Sequence, residues 1–158
     1  MSLYELLLFL HVLGAFALVG ALTLFSIVIV AMWRAEQPSD IVAFAGITRV
    51  GGLLVGAGTL MTIVFGVWLA IEVDQYRLWD GWVIAAIVLW AIATETGRRS
   101  ADAYAKIGAE ASRLAQSDDS PRPELVAQAR SGQAVGMQLA STAAVLVILA
   151  DMIWKPGT

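Results

Sequence analysis

One histidine stands in the whole chain, His11, inside an apolar run that extends from Leu6 to Met32. Metal or cofactor chemistry that needs imidazole must use that residue or its counterpart in a second copy. There is no cysteine, which removes disulfides, thiolate nucleophiles, iron–sulfur clusters and cysteine-ligated zinc together. If Tyr4 marks a membrane border, His11 lies roughly 10 Å inside it. Ionisable groups at such depth are costly and usually functional. The structural alternative is a neutral ring donating to a carbonyl of a neighbouring helix. Glu5, Glu72, Asp74, Asp80 and Asp151 fall on the same half of the chain's path. Glu72, Asp74 and Asp80 read as solvated hairpin residues, with a cation-attracting mouth as the functional alternative. Asp151 sits within a turn of a span's end, and Glu95 is followed at i+3 and i+4 by Arg98 and Arg99, which a local ion pair explains. No P-loop, GxGxxG, HExxH or serine at useful spacing from the histidine occurs, so hydrolytic and phosphoryl chemistry has no support.

The elements that must position these residues follow from composition. Of 158 residues, 59% are apolar and 15% charged. A soluble domain carries roughly 45–50% and about 25%, and needs that polar fraction to cover its outside. The surplus apolar surface must face lipid. A net charge of −3 without a lysine/arginine block argues against nucleic acid as a partner.

A crossing helix needs about 20 mostly apolar residues, and four stretches qualify, at about 4–33, 50–72, 80–97 and 133–154. The first ends at Trp33-Arg34, an interfacial anchor pair. It reads as retained rather than as a signal peptide, because it lacks a positive n-region and its apolar run is about twice the usual length. The second follows Pro38-Ser39-Asp40, a helix-start signal with an amphipathic lead-in from Ile41 to Arg49. The third, with Gly81–Thr94 as its apolar part, is the shortest. The fourth closes on Trp154-Lys155-Pro156-Gly157. Between the third and fourth, a cytoplasmic helical segment at about 98–131 is broken by Ser117–Pro123, and a second helix starting near Pro123 runs into span four. The chain thus reads as one all-α domain, residues 1–158, an antiparallel four-helix transmembrane bundle.

Arg34, Arg49, Arg98, Arg99, Lys106, Arg113, Arg122 and Arg130 lie in the two loops on one side, against Arg77 and Lys155 on the other. The positive-inside rule makes the basic loops cytoplasmic and both termini external, in a bacterial inner membrane. Lipid gives helices no hydrophobic reward for associating, so small residues must let backbones approach. Gly132, Gly136, Ala140 and Ala144 make one stripe; Gly52 and Gly56 make another, with Gly58, Thr62 and Gly66 on an adjacent face. The expectation is tight packing within one bundle, with a homodimer face as the alternative.

Leu10-His11-Val12-Leu13-Gly14-Ala15 through Val19-Gly20-Ala21-Leu22, with the closing Asp151-Met152-Ile153-Trp154-Lys155-Pro156-Gly157, resembles a bacterial family of small predicted integral membrane proteins of unknown function. The first helix, a histidine among small residues, is also similar to copper-resistance protein D and to HemJ-type protoporphyrinogen oxidases. In the latter, the histidine of that helix ligates haem b, and the resemblance implies that role for His11. A six-coordinate haem needs a second axial ligand and the chain has no other histidine; Met152 is on the same side, shallower than His11 by about 7 Å. The alternatives are five-coordinate haem, or haem held between two chains through both copies of His11. Arg77 or Lys155 would meet the propionates.

The reading at this level is an inner-membrane protein that binds haem b, or is redox-associated, through His11. One alternative is a small metal-cation transporter or channel component that uses His11 and the acidic hairpin. Another is a non-catalytic accessory subunit whose segment from Arg98 to Arg130 docks on a partner. Enzymatic activity is undetermined by the sequence.

Overall fold

A computed structural model describes residues 2–72 and 79–155. All regular structure in these residues is helical: α1 (Leu3–Met32), α2 (Pro38–Glu72), α3 (Gly81–Ser117), α4 (Pro123–Ala129) and α5 (Gly132–Trp154). Each boundary has a local cause. Ser2 Oγ accepts from Glu5 N at 3.2 Å and Glu5 Oε2 accepts from Ser2 N at 2.8 Å, a reciprocal box that closes the first turn of α1. Glu5 is thereby occupied as a cap. After α1, Asp40 draws the chain round, its Oδ2 accepting from Glu36 N and Gln37 N at 3.2 and 3.1 Å. The amphipathic lead-in expected at Ile41–Arg49 is continuous with the apolar run, giving one helix of 35 residues.

The expectation that the helix starting near Pro123 runs unbroken into span four is corrected. The chain leaves helical geometry at Ser131 (φ −58°, ψ 127°), between α4 and α5. The carbonyl of Ala129, at the last residue of α4, instead accepts from two side chains, Trp33 Nε1 at 2.9 Å and Tyr104 Oη at 3.0 Å. Tertiary donors have replaced the next helical amide.

Two antiparallel pairs, α1 with α2 and α3 with α5, are joined through α2 against α3. On α1, Leu7, Gly14, Ala21 and Val28 are buried at intervals of seven. His11, Leu18 and Phe25, each four residues further on, touch glycines of α2. A seven-residue repeat keeps one seam on the partner along the length of the pair. The seam is tight in the middle: a methyl group at Gly14 would lie 2.8 Å from Thr62 N, and one at Gly58 2.9 Å from the Gly14 carbonyl. The second pair is pinned by hydroxyls. Ser141 Oγ donates to the Ala93 carbonyl at 2.9 Å and Ser100 Oγ to the Ala134 carbonyl at 3.2 Å, both buried.

At the end that carries the basic residues the helices close over a true core of Val28, Ile29, Met32, Ile41, Tyr104, Ile107, Ala111, Leu125 and Ala129. Trp33 belongs to this layer. Expected as an interfacial anchor, it turns inward, and Arg130 Nη2 donates to its carbonyl at 2.7 Å. Elsewhere large apolar side chains face outward, among them Phe16, Leu53, Leu60 and Ile153, as a surface solvated by lipid requires.

Among the described residues, three stretches are long and apolar enough to cross a membrane: Leu3–Met32, Pro38–Glu72 and Pro123–Trp154. The expected four is met by three. α3 falls short because its apolar part ends at Thr94, before Glu95, Arg98 and Arg99, and its remaining turns are polar.

Candidate ligand site at His11

His11 lies on the α1 seam, partly buried, with its ring over the Cα of Gly66. Its Nδ1 is 2.9 Å from the carbonyl oxygen of Thr62. A carbonyl only accepts, so Nδ1 carries the proton and, in the neutral ring, the lone pair is on Nε2. No hydrogen bond among the described residues occupies Nε2.

Space for the ring is made by one missing side chain. A methyl group at Gly66 would come within 2.7 Å of Nδ1 and 2.8 Å of Cε1. The ring plane and the tautomer are therefore both set by α2. The positions responsible, Gly58, Thr62 and Gly66, recur every four residues, and Gly14 stands one turn beyond His11. That pattern is visible in the sequence. The hydrogen bond is the one named as the structural alternative, a ring donating to a carbonyl of a neighbouring helix; only the identity of that carbonyl is invisible in the sequence, because the acceptor is main chain. Thr62 Oγ1 is buried in the same contact with no hydrogen-bond partner.

The other site expectations are distributed differently. Met152 is half-buried near the end of α5, whereas the groups that meet the His11 ring belong to α2. Lys155 turns toward α3, its Nζ 5.7 Å from the centre of the Trp82 ring, and takes a left-handed backbone conformation at the end of α5 (φ 42°). Arg77 and Asp74 lie outside the described residues. Glu72 is exposed. Asp151 Oδ2 is buried without a hydrogen-bond partner among the described residues. Among the described residues no group of three or more His, Asp or Glu side chains is placed to hold a metal ion. Glu95 meets both expected partners, with Arg98 Nη2 at 3.0 Å and Arg99 Nε at 2.6 Å.

The small-residue stripes also divide. Gly58 and Gly66 make close interhelical contacts, but a methyl group at Gly52, Gly56, Gly132 or Gly136 would meet nothing within 4 Å, and Ala140 is exposed. Among the described residues the four glycines therefore do not make the close contacts within one bundle that were expected of them. Heptad spacing put the seam on Gly51 and Gly58, one position off the GxxxG.

Farther from the membrane, Asp118 organises the turn after α3. Its carboxylate accepts from Ser120 Oγ at 2.7 Å, Ser120 N at 3.1 Å and Arg122 Nη2 at 2.8 Å. The Ser120 hydroxyl and amide, assisted by the Arg122 charge, hold that carboxyl below its ordinary range. Burial of the Tyr104 phenol acts in the other direction and raises its value.

No curated protein and no solved structure is matched by the chain, so the similarity to copper-resistance protein D and to the HemJ-type oxidases gains no support. Long apolar helices, an outward apolar surface and a seam of small residues agree instead with a single finding, a family model that matches residues 5–156: the chain belongs to the predicted integral membrane protein family DUF2269.

Proposed function

We propose that the protein is a four-span protein of the bacterial cytoplasmic membrane, with both termini outside, that binds haem b through Nε2 of His11. The observation that carries the ligand reading is the one-sided satisfaction of the ring. Nδ1 is bonded to a main-chain carbonyl and Nε2 to nothing among the described residues. In hydrocarbon an acceptor without a donor is costly. A histidine that binds a metal characteristically donates its other ring N–H to a carbonyl or carboxylate, which sets the ring's orientation and raises its basicity. On this reading haem would be held by a single protein ligand, His11. Thr62 and Gly66 orient the imidazole, and the group, when bound, would supply electron transfer. The half-exposed flank of His11 favours a site on the outer face of the α1–α2 pair, completed by lipid or by a second copy, over one inside a single chain.

The fourth span is supported by α3 itself. Its contacts with the end of α5 and along it run from Trp82–Lys155 through Ala93–Ser141 to Ser100–Ala134, which favours the apolar half of α3 crossing beside α5. The test is an absorption spectrum of protein purified in mild detergent from cells supplied with a haem precursor. A Soret band that disappears in His11→Ala, while the variant stays monodisperse, is the expected result. Absence of the band in the wild type overturns the haem reading and leaves the accessory-subunit reading.

A further inference from the structure

At the basic end, residues of α3 and of the α4–α5 junction line an open cavity of about 540 Å³. Its lining carries Arg98, Arg99 and Lys106 against one carboxylate, Asp102, with Gln133 and Met137 on the facing wall. The cations are not all spent within the protein. Arg98 is paired with Glu95 and Asp102, but Arg99 is held only through Nε, and Lys106 has no ion pair among the described residues. The first turn of α5 opens onto the same space, and its N-cap, Ser131, makes no side-chain capping bond, so amide N–H groups there add to the positive lining. Position selects the ligand. The apolar run of α3 ends at Thr94 and that of α5 begins at Val135, so Arg98 and Met137 mark the membrane edge of the cavity and Lys106 lies about 12 Å farther out. That interval covers the headgroup layer, roughly 5–8 Å deep on each side.

We propose that this cavity binds the phosphate of an anionic phospholipid from the leaflet at the basic end, with Arg99 and Lys106 as its principal charge partners and Met137 against the start of the acyl chains. Basic pockets beside spans at the headgroup level suit such lipids, and a guanidinium with both Nη atoms available matches a phosphate in two-point contact. The site lies at the opposite end of the bundle from His11 and is independent of the haem reading.

The experiment is thermal unfolding of the full chain in mild detergent with added phosphatidylglycerol, phosphatidylcholine, glycerol phosphate or inorganic phosphate, with native mass spectrometry to count retained lipid. Phosphatidylglycerol at about a hundredfold over its Kd should raise the unfolding temperature by about 5–10 °C and leave one lipid bound. Lys106→Glu and Gln133→Glu each place a new carboxylate in the cavity and should lose most of that shift. Arg113→Glu, outside the cavity, should keep it. Lys106 and Gln133 are exposed, so the unfolding temperatures of both variants in phosphatidylcholine should match the wild type, which separates lost binding from lost folding. Equal stabilisation by phosphatidylcholine overturns the proposal. So does an equal effect of inorganic or glycerol phosphate, or an undiminished phosphatidylglycerol response in both cavity variants.

Discussion

A single atom missing from α2 decides where the imidazole sits. Gly66→Ala brings a methyl group to 2.7 Å from Nδ1, and since ring and helix cannot both stay in place, the bond to Thr62 must lengthen or break. Overpacking at such sites costs about 1–3 kcal/mol, so the unfolding temperature in detergent should fall, and any Soret absorbance should fall with it. The contrast lies between two other glycines. Gly14→Ala meets main chain, Thr62 N at 2.8 Å, and should destabilise by a similar amount with no flexible side chain to yield. Gly56→Ala meets nothing and should be neutral or stabilising by up to about 1 kcal/mol, because alanine is the better helix former. Equal losses at positions 14 and 56 would mean that a second chain covers the Gly52–Gly56 face. At this scale the sequence was informative about types and poor about partners. His11 stood out by being alone, and Gly58, Thr62 and Gly66 by their spacing; a carbonyl partner for the ring is one of the two readings the sequence allows, but which carbonyl it is, Thr62, no side-chain pattern announces.

Helix ends were more legible than helix faces. Pro38 and the Ser117–Pro123 break act where side-chain chemistry placed them, since caps and prolines work over three or four residues; the Ser2–Glu5 box is equally local, but in the sequence Glu5 reads only as one of the acidic residues on its side. The α4–α5 break was illegible because its cause is remote: Trp33 and Tyr104 are 96 and 25 residues from Ala129, the carbonyl they share. That sharing makes a prediction. Tyr104→Phe or Trp33→Phe alone leaves the carbonyl one donor and should cost no more than about 1 kcal/mol. The double variant orphans a buried acceptor and should lose more than the sum of the two singles, read as a coupling energy in denaturant unfolding. An additive pair would show that water reaches Ala129. The neighbouring turn should respond to acid. Asp118 binds its proton less readily in the folded chain than in the unfolded one, so its contribution is present above the unfolded carboxylate value of about 3.9 and disappears as pH falls through the lower folded value. Amide protection at residues 115–122, taken relative to the intrinsic exchange rate at each pH, should therefore fall below about pH 4 in the wild type. Asp118→Asn should exchange faster at neutral pH and lose that component of the acid dependence.

For the molecule as a whole, the number of crossings turns on α3, where composition and packing give different counts. Fourteen apolar residues from Gly81 to Thr94 span about 21 Å at 1.5 Å each, short of a hydrocarbon core of about 30 Å. Arg98 and Arg99 need not place their charges in that core, because long cationic side chains reach back to the headgroups, Glu95 is paired with both, and a helix packed on α5 has one face out of lipid. A three-span chain would instead leave the loop before α3 and the end of α3 on one side, with α5 crossing alone and Ser100, Gln138 and Ser141 losing their shelter. Because the chain has no cysteine, single cysteines report sidedness without background. With four spans, Ser2→Cys and Trp79→Cys should react with an impermeant maleimide in intact cells, and Gln37→Cys and Ser117→Cys only after the membrane is opened. Reaction of Trp79→Cys and Ser117→Cys from the same side would remove the fourth crossing. Reversal of all four would keep the crossings and turn the molecule over, moving the arginine-rich cavity to the outer leaflet and His11 to the cytoplasmic half.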